Sequence, residues 1–215
     1  MIDFTVDFDA AIFDMDGTIV DSLGIWSKID EEFLEKKRGI KVPEDYVREI
    51  AVMNFMETAQ YTIKRFKLND TPHALMEEWT EMAVHEYSHN LFLKDGVTDF
   101  FHKLKKSNKK IALCTSSPEI FYKPFLINNG VYNMFDAFSD TNEAGVGKNS
   151  TKVYLLAAQK CKTTPEKCIV FEDVLEAAKS AKKAKMKVCG VYDERSKAHK
   201  DEMKKLCDYY IENFR

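Results

Sequence analysis

Residues 10–18 decide the fold, because an apolar run there delivers two carboxylates to a glycine turn. The stretch reads Ala10-Ala11-Ile12-Phe13-Asp14-Met15-Asp16-Gly17-Thr18. A short apolar run ending in turn residues is typical of a buried parallel strand, whose carboxyl end is where open α/β sheets bind ligands. Asp14 and Asp16 would leave that strand on the same side of the chain. Their mutual repulsion favours a bound cation or a shared proton, with one carboxylate as nucleophile and the other as acid/base. A plain Asx turn is the alternative.

The composition favours a cytoplasmic protein without a nucleic-acid or membrane partner. The 215-residue chain carries 32 basic and 35 acidic side chains, and its net charge of -3 gives no overall field toward a polyanion. Its five cysteines show no Cys-x-x-Cys spacing, as expected of reduced thiols. We expect neither export nor a membrane span, because no leader pattern and no run of about 18 apolar residues occurs.

Two sequence patterns divide the chain. Residues 21–92 show helical spacing without a convincing strand, and they include a predicted helix over 72–87 that Thr71 would cap. From Lys94 onward strands and helices alternate, with strands expected at 110–114, 135–138, 168–171 and 187–191. We therefore predict an α/β fold. Its Rossmann-like core of residues 1–20 and 93–215 would be a parallel sheet with helices on both faces, and residues 21–92 would be an inserted α-helical cap domain over the carboxyl edge of the sheet.

Polar groups follow several of these strands, and one edge of the sheet would gather them. Thr115 and Ser116 could offer a hydroxyl and backbone N–H groups to an anion such as phosphate, while Ser117 would cap the next helix. Lys148 follows two glycines and could offset phosphoryl charge, although a solvated loop lysine is the alternative. Glu172 and Asp173, opposite Asp14, would complete an all-oxygen site suited to Mg²⁺, unless they only begin a helix.

The ordered set of these groups resembles the four motifs of the haloacid dehalogenase (HAD) superfamily. The residues that carry the resemblance are Asp14-Met15-Asp16-Gly17-Thr18, Thr115, Lys148 and Phe171-Glu172-Asp173. The helical segment after the first motif is similar to the C1-type cap of the subfamily that contains β-phosphoglucomutase and phosphoglycolate phosphatase. A small phosphorylated metabolite is therefore the expected partner.

The resemblance implies a role for each matched residue. Asp14 would be the nucleophile that forms an aspartyl-phosphate, and Asp16 the general acid/base. The phosphoryl group would be bound by Thr115 and neutralised by Lys148, with further phosphate contacts from Gly17, Thr18 and Ser116. Mg²⁺ would be held by Asp14, the backbone carbonyl of Asp16, Asp173 and Glu172, the last directly or through water.

A Mg²⁺-dependent phosphatase acting on a small phosphate monoester, as a monomer or weak homodimer, is the predicted function. Dehalogenases resemble the chain at Asp14 but lack an acid/base two residues further on, so the second aspartate, Asp16, disfavours dehalogenation. The alternatives are a β-phosphoglucomutase-like phosphomutase and a non-catalytic phosphometabolite-binding module. Trp26 and Met53-Asn54-Phe55 stand near the places where mutases of this type carry a histidine and an arginine, which disfavours a mutase.

Other conspicuous residues are predicted to be structural or solvated. The spacing of Trp26 with Ile29 and Phe33 favours a place in the core of the cap, with a wall of the pocket against bulky or charged leaving groups as the alternative. His85 and His89 have the i, i+4 spacing of a zinc site but no third ligand, so a solvated helix face is expected. The lysine groups at 103–110 and 179–187 are predicted to cover helix ends rather than to bind nucleic acid.

Overall fold

A six-stranded parallel sheet contains residues 10–13 as one of its two central strands. The computed structural model describes residues 7–22, 24–50 and 55–215. The strands in chain order are β1 (Ala10–Phe13), β2 (Lys110–Thr115), β3 (Ala137–Asp140), β4 (Cys168–Glu172), β5 (Lys187–Val191) and β6 (Tyr209–Ile211). They lie in the order β3-β2-β1-β4-β5-β6, and the pairings between them are parallel.

The helices fall into two compact units. The helical unit spans Gly24–Asn90 and contains α1 (Ile25–Asp30), the π-helical segment Glu31–Lys36, α2 (Glu44–Ile50), α3 (Phe55–Phe66) and α4 (Pro72–His89). The sheet unit contains the described residues up to Ser22 and from Leu91 to Arg215. Its helices are α5 (Val97–Lys106), α6 (Glu119–Asn128), α7 (Thr141–Ala144), α8 (Lys152–Lys160), α9 (Leu175–Lys183) and α10 (Lys200–Leu206). Short 3₁₀ turns are Tyr132–Met134, Pro165–Lys167 and Glu194–His199.

Strand β1 is fully buried because helices cover both faces of the sheet. Alternate residues of β1 serve the two faces. Ala10 and Ile12 belong to the apolar core formed with α8 and α9. Phe13 faces the other way and contacts Phe101 of α5, with ring centroids 4.9 Å apart. It also stacks on Phe171 of β4 at 4.5 Å, a type of contact that adds about 0.5–1.5 kcal/mol beyond the area it buries.

The register of β1 brings three strand ends to one level. Phe13 pairs with Leu113 of β2 on one side and with Phe171 of β4 on the other. The backbone N–H of Asp14 extends the second pairing by donating to the carbonyl of Phe171 at 3.0 Å. The residues that follow these positions therefore emerge together at the carboxyl edge of the sheet.

Helix α4 shows why the helical unit forms from its sequence. Thr71 accepts a hydrogen bond from the backbone N–H of Ala74 at 3.2 Å, and Pro72 occupies the first helical position, where a missing N–H costs nothing. A buried stripe with a spacing of four runs along the helix and consists of Leu75, Trp79, Ala83 and Tyr87. The predicted cap at Thr71 is thus confirmed.

The predicted α/β class and parallel sheet are confirmed, with differences at individual elements. β1, β2, β4 and β5 lie where the apolar runs placed them, whereas β3 begins at Ala137, two residues later than predicted. The pattern did not reveal β6. Within the described ranges, no helix combines the length and apolarity needed to cross a bilayer. The covering of the sheet edge by the helical unit stays a prediction.

Candidate active site

Asp14 and Lys148 form a largely buried ion pair at the carboxyl edge of the sheet. The Lys148 Nζ donates to Asp14 Oδ1 at 2.6 Å and also to the Glu172 carboxylate. Burial alone would lower the pKa of Lys148, but the charges of Asp14 and Glu172 hold it well above its ordinary value. Lys148 is therefore a fixed cation bound to Asp14, and the alternative of a solvated loop lysine is wrong.

Three carboxylates meet beside this lysine. Oxygen atoms of Asp14, Glu172 and Asp173 all lie within 4.8 Å of one another, and all three side chains are buried. Burial and the charge of Asp14 raise the pKa of Glu172 to about 7, and burial with the charges of Asp14 and Glu172 raises that of Asp173 to about 8. The cluster thus contains more negative charge than Lys148 neutralises.

A divalent cation fits this cluster. Its donors are all hard oxygen atoms, the ligand type that Mg²⁺ prefers, and added positive charge would relieve their repulsion. Among the residues that the structure describes, no other group of three histidine, cysteine or acidic side chains has such spacing. The Asp16 carboxylate is not part of the cluster, so any metal contact from Asp16 would have to come from its backbone carbonyl, as the resemblance implies.

The Asp16 side chain has a different partner from Asp14. Its Oδ2 accepts a hydrogen bond from the Ser117 hydroxyl at 2.7 Å. Pro118 rather than Ser117 is the capping residue of α6, and no side chain caps that helix. The predicted capping role of Ser117 was therefore wrong, because its hydroxyl is bonded to Asp16. The two aspartates occupy unlike surroundings, which suits them to separate tasks.

The two polar residues that follow the body of β2, Thr115 and Ser116, differ in burial and in hydrogen-bond partners. Thr115 is buried, and its Oγ1 accepts from the backbone N–H of Ser117 at 2.9 Å. Ser116 is exposed, and its carbonyl accepts from Thr141 at 3.5 Å. Both residues stand at the sheet edge that carries Asp14, and their binding of phosphate stays a prediction.

Gly17 and Thr18 pack against the acidic cluster. Gly17 has a left-handed φ of 91°, and a Cβ atom placed on it would clash with the Arg195 guanidinium and lie 2.5 Å from Asp173 Oδ2. The Thr18 hydroxyl is buried and donates to Asp173 Oδ1 at 3.1 Å. The side chain of Thr18 thus orients a carboxylate, and phosphate contact by these two residues stays a prediction.

The sequence patterns missed four residues near the site: Lys94, Tyr154, Asp193 and Arg195. The Tyr154 hydroxyl donates to Glu172 Oε2 at 3.2 Å, and its ring lies 5.9 Å from Lys148 Nζ. Asp193 and Arg195 follow β5 at the same edge, so the rule applied to the other strand ends would have found them. Lys94 lies before α5, where no sequence signal pointed to the site.

The helical unit supplies one correction and one open position. Trp26 is 43 % exposed, with its ring 6.0 Å from that of Phe55, so its predicted place in the core was wrong. The buried side chains of α1 and the following segment are Ile25, Ile29, Asp30, Phe33 and Leu34. Of the segment compared with the mutase arginine, Met53 and Asn54 lie outside the described residues.

His85 and His89 stack on each other at 4.7 Å, and neither belongs to a metal-ligand group among the described residues.

The lysine groups are largely engaged in local contacts. Lys105 pairs with Asp136 at 2.5 Å, Lys182 pairs with Asp208 at 2.8 Å, and Lys110 donates to the carbonyl of Cys161. The last turns of α5 and α9 carry several of them, where lysine complements the helix dipole. This arrangement agrees with the predicted structural role.

Comparison with known proteins gives a consistent picture. A model of the haloacid dehalogenase-like hydrolases matches residues 8–185. A phosphorylated carbohydrates phosphatase of Thermotoga maritima is 28 % identical over 176 residues, which cover 80 % of this chain and 81 % of that protein. A fructose-1-phosphate phosphatase of Escherichia coli is 28 % identical over 180 residues, covering 79 % and 90 %. The solved structure of a β-phosphoglucomutase from Clostridium difficile superposes with a TM-score of 0.69 at 20 % identity, covering 96 % and 92 % of the two chains, a level that bears on the fold alone.

Proposed function

Because the chain belongs to the haloacid dehalogenase-like hydrolases, we propose that it is a Mg²⁺-dependent phosphatase that works through an aspartyl-phosphate on Asp14. Its relatives support a phosphohydrolase, since those aligned over about four-fifths of the chain are named as phosphatases. The resemblance found in the sequence is thereby confirmed at the level of the family. The reaction path and the metal are our proposal.

The observation that carries the proposal is the contrast between Asp14 and Asp16. Asp14 is buried against Lys148 and two further carboxylates, whereas Asp16 is bonded to the Ser117 hydroxyl. A nucleophile for phosphoryl transfer must stay ionised beside positive charge, and Lys148 supplies that charge. An acid/base must exchange a proton with the leaving group, which suits a separate carboxyl.

The proposed reaction has two steps. In the first, an Asp14 oxygen attacks phosphorus, the bond from phosphorus to the ester oxygen breaks, and Asp16 protonates the departing oxygen. In the second, Asp16 takes a proton from water, the water oxygen attacks the phosphorus of the aspartyl-phosphate, and the bond to Asp14 breaks to release inorganic phosphate. Lys148 offsets negative charge in both steps, because its ammonium already lies 2.6 Å from Asp14.

Asp14, Glu172 and Asp173 would hold Mg²⁺, with Thr18 and Tyr154 orienting two of those carboxylates through hydrogen bonds of 3.1 and 3.2 Å. The bound ion would supply positive charge to the transferring phosphoryl group. The resemblance adds the Asp16 carbonyl to this set.

A phosphorylated sugar is the substrate class we favour. It follows from the relatives, one named for phosphorylated carbohydrates and one for fructose 1-phosphate. A cytoplasmic location and a monomer or weak homodimer also stay predictions. A phosphomutase would return the phosphoryl group to a sugar hydroxyl, so release of free phosphate separates the two activities.

The test is phosphate release from a panel of sugar phosphates, nucleoside monophosphates and short organic phosphates, with Mg²⁺ or with a chelator. We expect metal-dependent release from some members, at least about 10³-fold slower in Asp14→Asn. Asp201→Asn, which alters an exposed aspartate of α10, is the matched control and should keep full activity. Unchanged activity in Asp14→Asn would disprove the nucleophile assignment, and no release from any member would disprove the phosphatase.

A further inference from the structure

Three residues that the proposed reaction does not use form a connected group, which we call the Asp193 clamp: Lys94, Asp193 and Arg195. Asp193 is only 4 % exposed. Its Oδ2 accepts from Lys94 Nζ at 2.9 Å, and its Oδ1 accepts from the Arg195 Nε at 2.9 Å and from the Arg195 backbone N–H at 3.0 Å. Burial alone would raise the pKa of Asp193, but these hydrogen bonds lower it, so the carboxylate is ionised between two cations.

Both cations of the clamp reach Gly17. Lys94 Nζ donates to the Gly17 carbonyl and, at 3.2 Å, to the carbonyl of Tyr192. The Arg195 guanidinium lies against the Cα of Gly17, where it would clash with any Cβ. Gly17 is therefore held through its carbonyl on one side and through its Cα on the other, and both contacts lead back to Asp193.

Arg195 also lies close to the functional carboxylates. Burial alone would lower the pKa of Arg195, but its hydrogen bond to Asp193 and the charges of Asp193, Asp173 and Asp16 raise it. Arg195 lines a cavity of about 280 Å³ together with Asp16 and Asp173. The clamp thus joins the loop after β5 to the turn that carries Asp16.

Stability alone is a weak reason for such an arrangement. Asp193 is buried but the Arg195 side chain is 36 % exposed, so the desolvation of Asp193 and the solvent around Arg195 offset much of the attraction between the two charges, and the pair adds little to the free energy of unfolding. The particular effect of the clamp is to fix geometry, because hydrogen bonds are directional and those of Asp193 hold Lys94 and Arg195 in one arrangement. The residue held by the clamp is Gly17, which comes immediately after Asp16 in the chain.

We propose that Lys94, Asp193 and Arg195 are positioning residues that hold Gly17, and through it the Asp16 carboxyl, in the geometry for proton transfer to the leaving group. This inference rests on the proposed function, since it needs Asp16 to act as the general acid. A misplacement of about 1 Å lowers rates on the order of 10²-fold, so the effect is measurable.

Substrates with different leaving groups separate positioning of Asp16 from general damage. A sugar alkoxide must be protonated as it departs, whereas p-nitrophenolate is a good leaving group that departs without a proton. The quantity to compare is kcat/KM, which reports the step that phosphorylates Asp14. A shift of Asp16 should therefore reduce kcat/KM for the sugar phosphate far more than for p-nitrophenyl phosphate.

The experiment measures kcat/KM for p-nitrophenyl phosphate and for the sugar phosphate hydrolysed fastest in the panel. For Arg195→Met we expect a loss of at least about 30-fold on the sugar phosphate and no more than about 3-fold on p-nitrophenyl phosphate. Arg195→Lys, which keeps the charge but not the paired donors, should lose less than Arg195→Met and keep the same selectivity. Lys197→Met, two residues along and paired to the exposed Glu194 at 2.8 Å, is the control and should match the unaltered chain on both substrates.

The outcomes are distinguishable. Thermal unfolding midpoints of Arg195→Met and Lys197→Met within about 2 °C of each other would show that the loss is not one of folding. If Arg195→Met does not fold, the selectivity of Arg195→Lys decides. If the unaltered chain is active and the Arg195 variants lose kcat/KM equally on both substrates, or lose none, the positioning role of the clamp is overturned while the proposed function stands. Failure of the unaltered chain to hydrolyse either substrate would overturn the proposed function and the inference with it.

Discussion

At the scale of single residues, Gly17 is the position where the site tolerates least change. Its φ of 91° strains any other residue by roughly 1–2 kcal/mol, and a Cβ there would meet Asp173 and Arg195. We expect Gly17→Ala to lower kcat by at least about 10²-fold, because both neighbours must move and the Asp16 turn moves with them. The measurement is kcat and KM in saturating Mg²⁺ together with the free energy of unfolding from urea titration.

Gly130 offers the matched control for that change. It also has a left-handed φ, 72°, but a Cβ on it would meet no atom within 4 Å. Gly130→Ala should therefore show the backbone strain, about 1–2 kcal/mol of lost stability, with full activity. Equal activities of the two variants would contradict the role assigned to the crowding around Gly17.

At the scale of elements, the sequence patterns predicted the strands that are buried and missed the strand that is only half-buried. β1 and β4 are buried along their whole length and were predicted, because a short continuous apolar run bounded by turn residues is typical of a buried strand. β6 lies at the edge of the sheet and its three residues are only half-buried, so it leaves no such pattern. Trp26 was misplaced because spacing alone does not show where a buried stripe ends. Asp30 and Leu34, four and eight residues further along, are buried, whereas Trp26 in the first turn of α1 is 43 % exposed.

The candidate site divides in the same way. Its reacting groups follow strands and could be predicted, since parallel strands deliver their carboxyl ends to one edge. Their supporting partners could not, because the contacts join residues far apart in the chain. Ser117 bonds Asp16 across 101 positions and Lys94 bonds Asp193 across 99, separations at which residue spacing carries no information.

The junction of α1 with the π-helical segment contains an element-scale prediction. Asp30 is buried there, and burial raises its pKa to about 7 despite a hydrogen bond from Tyr46. Below about pH 4 the carboxyl is protonated in both states, and its contribution to stability is complete. As pH rises toward 7 the unfolded chain loses the proton first, so the free energy of unfolding falls, and it falls no further above about pH 7.

Asp30→Asn should remove this pH dependence. At pH 8 the variant should be more stable by up to about 4 kcal/mol, at 1.36 kcal/mol for each pKa unit, and at pH 4 it should match the unaltered chain. Urea titrations at the two pH values measure the difference. Asp45→Asn, at an exposed aspartate whose pKa the hydrogen bond from Arg65 lowers, should be slightly less stable at pH 8. A destabilised Asp30→Asn at pH 8 would refute the assignment.

At the scale of the whole molecule, the buried charges make folding of the sheet unit depend on protons and on metal together. Glu172 and Asp173, with pKa values raised to about 7 and 8 by burial and neighbouring carboxylates, retain protons that the unfolded chain has released. Without a cation, the free energy of unfolding should therefore fall as pH rises from about 4 to about 8. A cation at the same oxygens would displace those protons, so its binding should strengthen over the upper part of that range.

Addition of Mg²⁺ should thus stabilise the protein more at pH 9 than at pH 6. At a free concentration of 100 times the dissociation constant, the gain is about 2.7 kcal/mol, and proton competition should reduce it at pH 6. Urea titrations with Mg²⁺ or with a chelator at each pH give the difference. Asp173→Asn should abolish most of the gain, whereas Asp136→Asn, which changes an aspartate outside the cluster, should preserve it. Equal gains at both pH values would mean that Mg²⁺ does not displace protons from these carboxylates.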